Sequence, residues 1–248
     1  MFAVGARDAP AVVRALEAGA DPNTRGAAGE SALHVAAEAG SLEIVRALLA
    51  NKADPQVRTP SGASALHAAA AGGSAAVVRY LLEQGLAIEL ENERGETPLF
   101  VAAENGRVEA MTALVARRAR LDARTKNGET LLHAAAIGNE EAALALLLER
   151  NLDPNLANAD REAPLFWGAG AGNAAIVRRL IERGADLEAR DTKGNRALHA
   201  AADAGHAAVV TLLLARKADA NARNDAGLVP GDLARARGHA EVVRLLAR

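Results

Sequence analysis

Apolar residues of this chain recur in short stripes with helical spacing, and glycine, proline and polar residues separate one stripe from the next. One complete stripe predicts the buried face of a short helix, formed by Leu33, Ala36 and Ala37. Gly40 follows and suits the left-handed end of that helix. The next stripe predicts a second helix, with a buried face of Ile44, Val45, Leu48 and Leu49. An Ala-Asp-Pro segment and a turn-rich loop complete a unit of helix, tight turn, helix and extended turn.

This unit recurs with a constant period of 33 residues. Its first helix opens on a four-residue motif that starts at 31, 64, 97, 130, 163, 196 and 229. The motifs are SALH, SALH, TPLF, TLLH, APLF, RALH and VPGD. We call the residues at one position of the unit in successive repeats a column. Two columns consist of glycine, and each has one exception, Arg161 in the first and Asn139 in the second. Such self-similarity is typical of stacked-repeat proteins, because a single unit cannot bury its apolar face alone.

The motif, the alanine pair after it, the glycine columns and the segment GADPN at 19–23 resemble the ankyrin repeat. The resemblance covers essentially the whole chain. It implies an all-α ankyrin-repeat solenoid of stacked helix-turn-helix units with β-hairpin-like finger loops. We expect a single domain over residues 1–248. Its expected parts are an N-terminal capping repeat at 1–26, repeats at 27–59, 60–92, 93–125, 126–158, 159–191 and 192–224, and a C-terminal capping repeat at 225–248.

Composition narrows the classes of function. The net charge is −2, with 29 basic and 31 acidic residues, and the pI near 6.3 argues against a nucleic-acid binder. The absence of cysteine excludes disulfides and thiolate catalysis. The richest apolar run, residues 142–148, is too short to cross a membrane. We expect a monomeric, cytoplasmic protein that binds neither nucleic acid nor membrane; a periplasmic or secreted location stays open if a signal segment has been trimmed.

Candidate catalytic residues follow the repeat instead of forming a site. The six histidines occupy two columns, and no acid or nucleophile keeps a fixed place beside them. The resemblance implies that the motif histidines bond backbone groups of adjacent loops: His34, His67, His133 and His199. The glycine run at 168–172 lies within a predicted helix and lacks the preceding strand of a dinucleotide-binding motif. We predict no catalytic residue, no metal site and no cofactor.

The resemblance implies partner contacts from the finger tips and from the exposed face of the first helices. That face consists mostly of small residues, and Trp167, the only tryptophan, interrupts it. The predicted contact residues are Arg94, Glu96, Val101, Asn105, Lys126, Asn127, Glu129, Asp160, Arg161, Glu162, Phe166, Trp167, Ala171, Lys193 and Asn195.

Two interpretations of Trp167 compete. In one, Phe166 and Trp167 fill space that Gly168 opens, as a local adjustment of the core. In the other they recognise a partner, since binding hot spots are enriched in Trp, Tyr and Arg. We favour recognition because this repeat also carries helical glycines and Arg161 in place of its turn glycine. The same His-to-Phe change at Phe100 keeps the packing interpretation open.

We therefore expect a non-catalytic protein–protein interaction scaffold, which binds a protein partner through the concave first-helix face and the finger loops. The alternative is an inhibitor or immunity-type protein that blocks a partner enzyme or toxin. An enzyme, or a scaffold hydroxylated at loop asparagines such as Asn23, Asn155 and Asn221, is less well supported by the residues.

Overall fold

The fold is all-α and built from repeated helix pairs, as the periodicity predicts. The computed structural model describes residues 2–5 and 8–247, and this part of the chain contains sixteen α-helices. The backbone groups into two compact units, an N-terminal unit of residues 1–126 and a C-terminal unit of residues 127–248. The division falls beside the predicted repeat boundary at 126. That the whole chain behaves as one domain stays a prediction.

The N-terminal unit holds eight helices in four pairs. They are α1 (Phe2–Gly5), α2 (Ala9–Glu17), α3 (Ala32–Glu38), α4 (Leu42–Ala50), α5 (Ala65–Gly72), α6 (Ala75–Glu83), α7 (Pro98–Glu104) and α8 (Val108–Ala116). The first helices stack in order, α3 on α5 and α5 on α7. The second helices stack in the same order, α2, α4, α6 and α8.

The C-terminal unit repeats this arrangement. Its helices are α9 (Leu131–Ile137), α10 (Glu141–Glu149), α11 (Pro164–Gly170), α12 (Ala174–Glu182), α13 (Ala197–Asp203), α14 (Ala207–Ala215), α15 (Pro230–Arg237) and α16 (Ala240–Leu246). Here α9, α11, α13 and α15 are the stacked first helices, and α10, α12, α14 and α16 are the second helices. None of the helices in the described residues is both long and apolar enough to cross a membrane.

Local sequence sets where the helices begin and end. The hydroxyl oxygens of Ser64 and Thr97 accept the backbone N–H three residues on, which satisfies a free donor at the helix start. Gly73 follows α5 with φ +88°, the left-handed conformation that ends many helices. The two residues that break the glycine columns keep this conformation, with φ +61° at Arg161 and φ +63° at Asn139. The turns are therefore retained where glycine is not.

The core lies between the first and second helices of each repeat. All but Leu131 of its largest fully buried side chains come from the predicted stripes: Leu33, Ile44, Leu48, Leu66, Leu81, Leu99, Met111, Leu114, Leu131, Leu132, Leu144 and Leu147. Burying one such side chain contributes about 1.5–3 kcal/mol. Alanines are fully buried at Ala36, Ala69, Ala102 and Ala135; at Gly168, in the same column, the neighbouring side chains belong to the second helix of the repeat. Small residues in these columns let the helix backbones approach closely.

Candidate functional site

A five-residue loop, which we call a finger, precedes each first helix; the fingers span 26–30, 59–63, 92–96, 125–129, 158–162, 191–195 and 224–228. In the finger at 92–96 the backbone N–H of Asn92 donates to the carbonyl of Glu96 at 3.0 Å. The Asn92 side-chain oxygen accepts the N–H groups of Arg94 and Glu96 at 2.9 and 3.0 Å. Asn158, Asp191 and Asn224 close their fingers in the same way.

Backbone hydrogen bonds also join successive fingers. In the N-terminal unit Glu93 N–H donates to the Ser61 carbonyl, and Lys126 N–H donates to the Arg94 carbonyl, both at 2.9 Å. In the C-terminal unit the bonds run from Thr192 to Asp160 and from Asp225 to Lys193, also at 2.9 Å. The fingers joined by these bonds are thus fixed both within themselves and to a neighbour. The finger row of each unit is a preformed surface.

The motif histidines hold the fingers in place through hydrogen bonds to backbone groups. The His67 Nδ1 accepts the backbone N–H of Ser64 at 3.1 Å, and Nε2–H donates to the Glu96 carbonyl at 3.0 Å. His34, His133 and His199 make the corresponding bonds to the next finger. Burial lowers the pKa of His34, His67 and His199 below the ordinary value, so these rings are neutral near pH 7.

No catalytic or metal-binding constellation accompanies these histidines. Both ring nitrogens of each motif histidine are engaged with the backbone, which leaves no nitrogen to act as a base toward a ligand. Within residues 2–5 and 8–247 no group of three His, Cys, Asp or Glu residues is placed to hold a metal ion.

A groove of about 670 Å³ lies between the fingers and the first helices of the N-terminal unit. Its floor is made of small and apolar side chains, Val35, Ala68, Ala71 and Val101. Its charged lining consists of four carboxylates and one guanidinium: Glu30, Glu38, Glu96, Glu104 and Arg94. The groove is therefore acidic around an apolar floor.

The predicted contact residues of the N-terminal unit differ in exposure. Arg94, Asn105 and Lys126 are exposed, and Val101 is half-buried in the groove floor. Glu96 is only 3% exposed, although we expected it at a finger tip. Its carboxylate is held inside the finger by the Asn92 side-chain amide at 2.6 Å and by Arg94 at 2.9 Å. Glu96 therefore positions Arg94 more than it offers a surface of its own.

In the C-terminal unit, an apolar pocket of about 390 Å³ opens on the first-helix face. It is lined by Ile137 of α9 and by four residues at α11 and its end: Phe166, Trp167, Gly170 and Ala171. Trp167 and Phe166 are both half-buried, whereas Phe100, at the same repeat position as Phe166, is 2% exposed. The two His-to-Phe changes therefore have different consequences. Phe100 belongs to the core, and Phe166 lines an open pocket.

The Trp167 indole has an unsatisfied polar atom. Its Nε1 is buried and has no hydrogen-bond partner. Burial chiefly raises the pKa of Glu162, while the Asn158 amide and the Trp167 indole oppose the rise. The indole N–H is thus directed to the Glu162 carboxylate of its own repeat without completing a hydrogen bond to it.

The glycines of α11 have separate roles. A Cβ at Gly168 would lie 2.8 Å from Cγ2 of Ile176, so the space beside Gly168 is taken by α12. No space beside Gly168 is left for the two aromatic side chains, which the packing interpretation placed there. Gly170 is different, because a Cβ there would meet only Ala200, at 3.9 Å. Its missing side chain leaves the pocket beside Trp167 open.

The remaining predicted residues of the C-terminal unit lie on or beside its fingers. Asn127, Asp160, Arg161, Lys193 and Ala171 are exposed, and Glu129, Glu162 and Asn195 are half-buried. The pocket brings together Phe166, Trp167 and Ala171.

Sequence reasoning missed Ile137 and Gly170 in that pocket, and Glu30 and Glu38 in the other groove. Glu30 and Glu38 stand in the same columns as Glu96 and Glu104, a signal that the register contained.

Two of the loop asparagines considered for hydroxylation, Asn23 and Asn155, have side-chain partners within the chain. The Asn155 side chain donates to the Gly184 carbonyl at 2.9 Å and accepts the Asp186 N–H at 2.8 Å. Asn23 makes the equivalent bonds to Lys52 and Asp54.

Comparison with known protein families matches the chain to the model described as ankyrin repeats (3 copies), over residues 1–92, 84–158 and 146–224. Comparison with curated proteins gives no match.

Proposed function

This chain belongs to the ankyrin-repeat family, whose repeats are generally protein–protein interaction modules and typically non-catalytic; from that premise we propose that it binds a protein partner through the first-helix face and fingers of its C-terminal unit. Trp167 is the centre of the proposed surface. Phe166 and Ile137 flank it, and the fingers at 158–162 and 191–195 form its polar edge.

The open pocket beside Trp167 is the observation that carries this proposal. Aromatic residues make up only 2% of the chain, yet two stand side by side here and neither is fully buried. A packing role alone would leave the aromatic pair enclosed, as Phe100 is. An apolar side chain of a partner seated in the pocket would remove both rings from water.

Rigidity of the scaffold favours tight binding. The finger-to-finger backbone bonds and the histidine bonds fix the surface before a partner arrives. A preformed surface loses less conformational entropy on association than a mobile one.

Affinity capture from the source organism, with wild-type and Trp167→Ala proteins as baits, tests the proposal. We expect the wild type to retain a partner that Trp167→Ala loses, with an affinity loss of about 2 kcal/mol or more. Tyr80→Ala is the matched control, because Tyr80 is a half-buried aromatic on α6, where it packs under Arg46. Equal retention by all three baits would contradict the proposal.

A further inference from the structure

Arg94 occupies a specific place in the N-terminal groove, between two carboxylates of its own repeat. Its guanidinium lies 2.9 Å from Glu96 Oε1 and 3.9 Å from Glu104 Oε2. Glu96 belongs to the finger and Glu104 to the end of α7, so Arg94 bridges the finger and the first helix. At this end of the groove, the two carboxylates are therefore paired with a guanidinium of the chain itself.

The same carboxylate pair recurs two repeats earlier without that cation. Glu30 stands in the column of Glu96, and Glu38 in the column of Glu104. The residue in the column of Arg94 is Ala28. Among the described residues, the side chains of Glu30 and Glu38 form no ion pair, and all three residues line the groove.

Glu30 also lacks the second donor that Glu96 has. The amide of Asn92 donates to Glu96, and the corresponding residue of the first finger is Gly26, which has no side chain. The Glu30 carboxylate lies directly over Gly26, where a Cβ would overlap it. As a result, Glu30 Oε2 is buried and has no hydrogen-bond partner. The described residues therefore supply no donor to this atom, whereas the Glu96 carboxylate has two, from Asn92 and Arg94.

We propose that the pair Glu30 and Glu38 binds an arginine side chain of a partner protein, in the position that Arg94 fills for Glu96 and Glu104. A guanidinium suits this place because it donates several hydrogen bonds and stays charged. The partner segment lies along the groove, with apolar groups on Val35 and Ala68. This inference rests on the proposed protein-binding function and adds the chemistry of a second contact.

The geometry leaves room for that side chain. Ala28 is exposed, and the groove floor beyond it is formed by small residues. The other cations near this repeat are engaged elsewhere: Arg25 donates to the Gly29 and Arg58 carbonyls, and Arg58 donates to the Gly62 and Glu91 carbonyls. Neither forms an ion pair with Glu30 or Glu38.

A chemical-shift titration of the ¹⁵N-labelled full chain tests the inference. The probe is the capped peptide Gly-Leu-Arg-Leu-Gly, and its control carries citrulline, which has the shape of arginine without its charge. We expect the arginine peptide to move the amide signals of Glu30 and Glu38, and the citrulline peptide to bind about tenfold more weakly.

Variants of the chain provide the second comparison. Ala28→Arg supplies the missing guanidinium internally, so it should abolish the shifts while the chain melts as the wild type does. Ala226→Arg is the matched control, since it adds the same charge in the same column of the last finger, where Leu228 and Ala236 replace the two acids. The double variant Glu30→Gln with Glu38→Gln should weaken peptide binding about tenfold without adding a bulky group.

Three outcomes would overturn the inference: no shift at Glu30 and Glu38, equal binding of the arginine and citrulline peptides, or unchanged binding by Ala28→Arg or the glutamine variant. The Trp167→Ala capture experiment reads a different unit of the chain. A partner that is lost with Trp167→Ala, together with a failed peptide titration, would leave the proposed function standing and remove only the arginine contact.

Discussion

The first-helix faces of the two units have the same backbone plan and unlike chemistry. In the N-terminal unit the exposed positions are small or apolar, and carboxylates border the groove. In the C-terminal unit the same helical positions hold Trp167 and a glycine, and the result is an apolar pocket. Changes in a few columns thus convert a charged groove into an aromatic one without altering the repeat. The proposed binding surfaces thus lie at the repeat positions that vary, and the buried core at those that do not.

The spacing between first helices is part of this difference. A Cβ at Gly72 would lie 2.8 Å from the carbonyl carbon of Glu38 and still closer to its oxygen, so α5 approaches α3 too closely for any side chain. In the repeat that carries Trp167 the corresponding residue is Ala171, which is exposed and borders the pocket.

The largest expected effect on stability comes from Gly72→Ala. The added methyl group collides with backbone that cannot move without shifting α3, and we expect a loss of about 3 kcal/mol in the free energy of unfolding. Chemical denaturation measures this loss. The reverse change at the same column, Ala171→Gly, is the control and should cost at most about 1 kcal/mol. Similar values for the two variants would show that the close approach of α3 and α5 is not specific.

A smaller effect, with a pH signature, is expected for His67→Phe, which gives this repeat the residue that Phe100 and Phe166 supply in theirs. At neutral pH the loss of bonds to Ser64 and Glu96 should destabilise the chain by about 2 kcal/mol. Because burial lowers the pKa of folded His67 below 6.5, the unfolded chain takes up a proton first as the pH falls. The histidine's contribution is therefore complete above pH 6.5 and declines below it.

Denaturation from about pH 7.5 down to about pH 5 checks this expectation. The stability difference between wild type and His67→Phe should narrow below pH 6.5, by up to about 1.4 kcal/mol for each pH unit. A constant difference across this range would mean that His67 takes up its proton equally in the folded and unfolded chains.

Arg161→Gly should give the smallest effect, and it should be stabilising. Arg161 has φ +61°, a conformation that costs a non-glycine residue about 1–2 kcal/mol. Glycine removes that strain but makes the unfolded chain more flexible, so the expected net gain is about 1 kcal/mol. Thermal unfolding measures it, with Lys193→Gly as a neighbouring surface control. A loss of stability would show that the Arg161 side chain makes contacts that outweigh its backbone strain.

Most of the fold could be predicted from the sequence, because the 33-residue period reflects which side chains pack in the core. Leu33 and Ile44 are buried as their stripes predict, and the turn residues of the glycine columns are left-handed. Even the exceptions obey the register, since Arg161 and Asn139 keep the conformation of the glycines that they replace. The repeat thus predicts a left-handed backbone at these positions even where the residue is not glycine.

The candidate sites could be predicted less completely from the sequence, because they depend on the direction in which each side chain points. The sequence identified Trp167 as unusual and left two interpretations open; in the packing interpretation the aromatic pair fills the space at Gly168, which Ile176 of the next helix occupies. Glu96 was expected at the surface, yet Asn92 and Arg94 hold it inside its finger. The sequence also did not show that Arg94 lies between Glu96 and Glu104, a place that no cation of the described residues fills beside Glu30 and Glu38.

The central question for this protein is whether Trp167 binds a partner or supports the core. Measuring both partner affinity and the free energy of unfolding for Trp167→Ala decides this. We predict an affinity loss of about 2 kcal/mol or more, accompanied by a smaller loss of stability. Unchanged affinity together with several kcal/mol of lost stability would assign Trp167 to the core and contradict the proposed function.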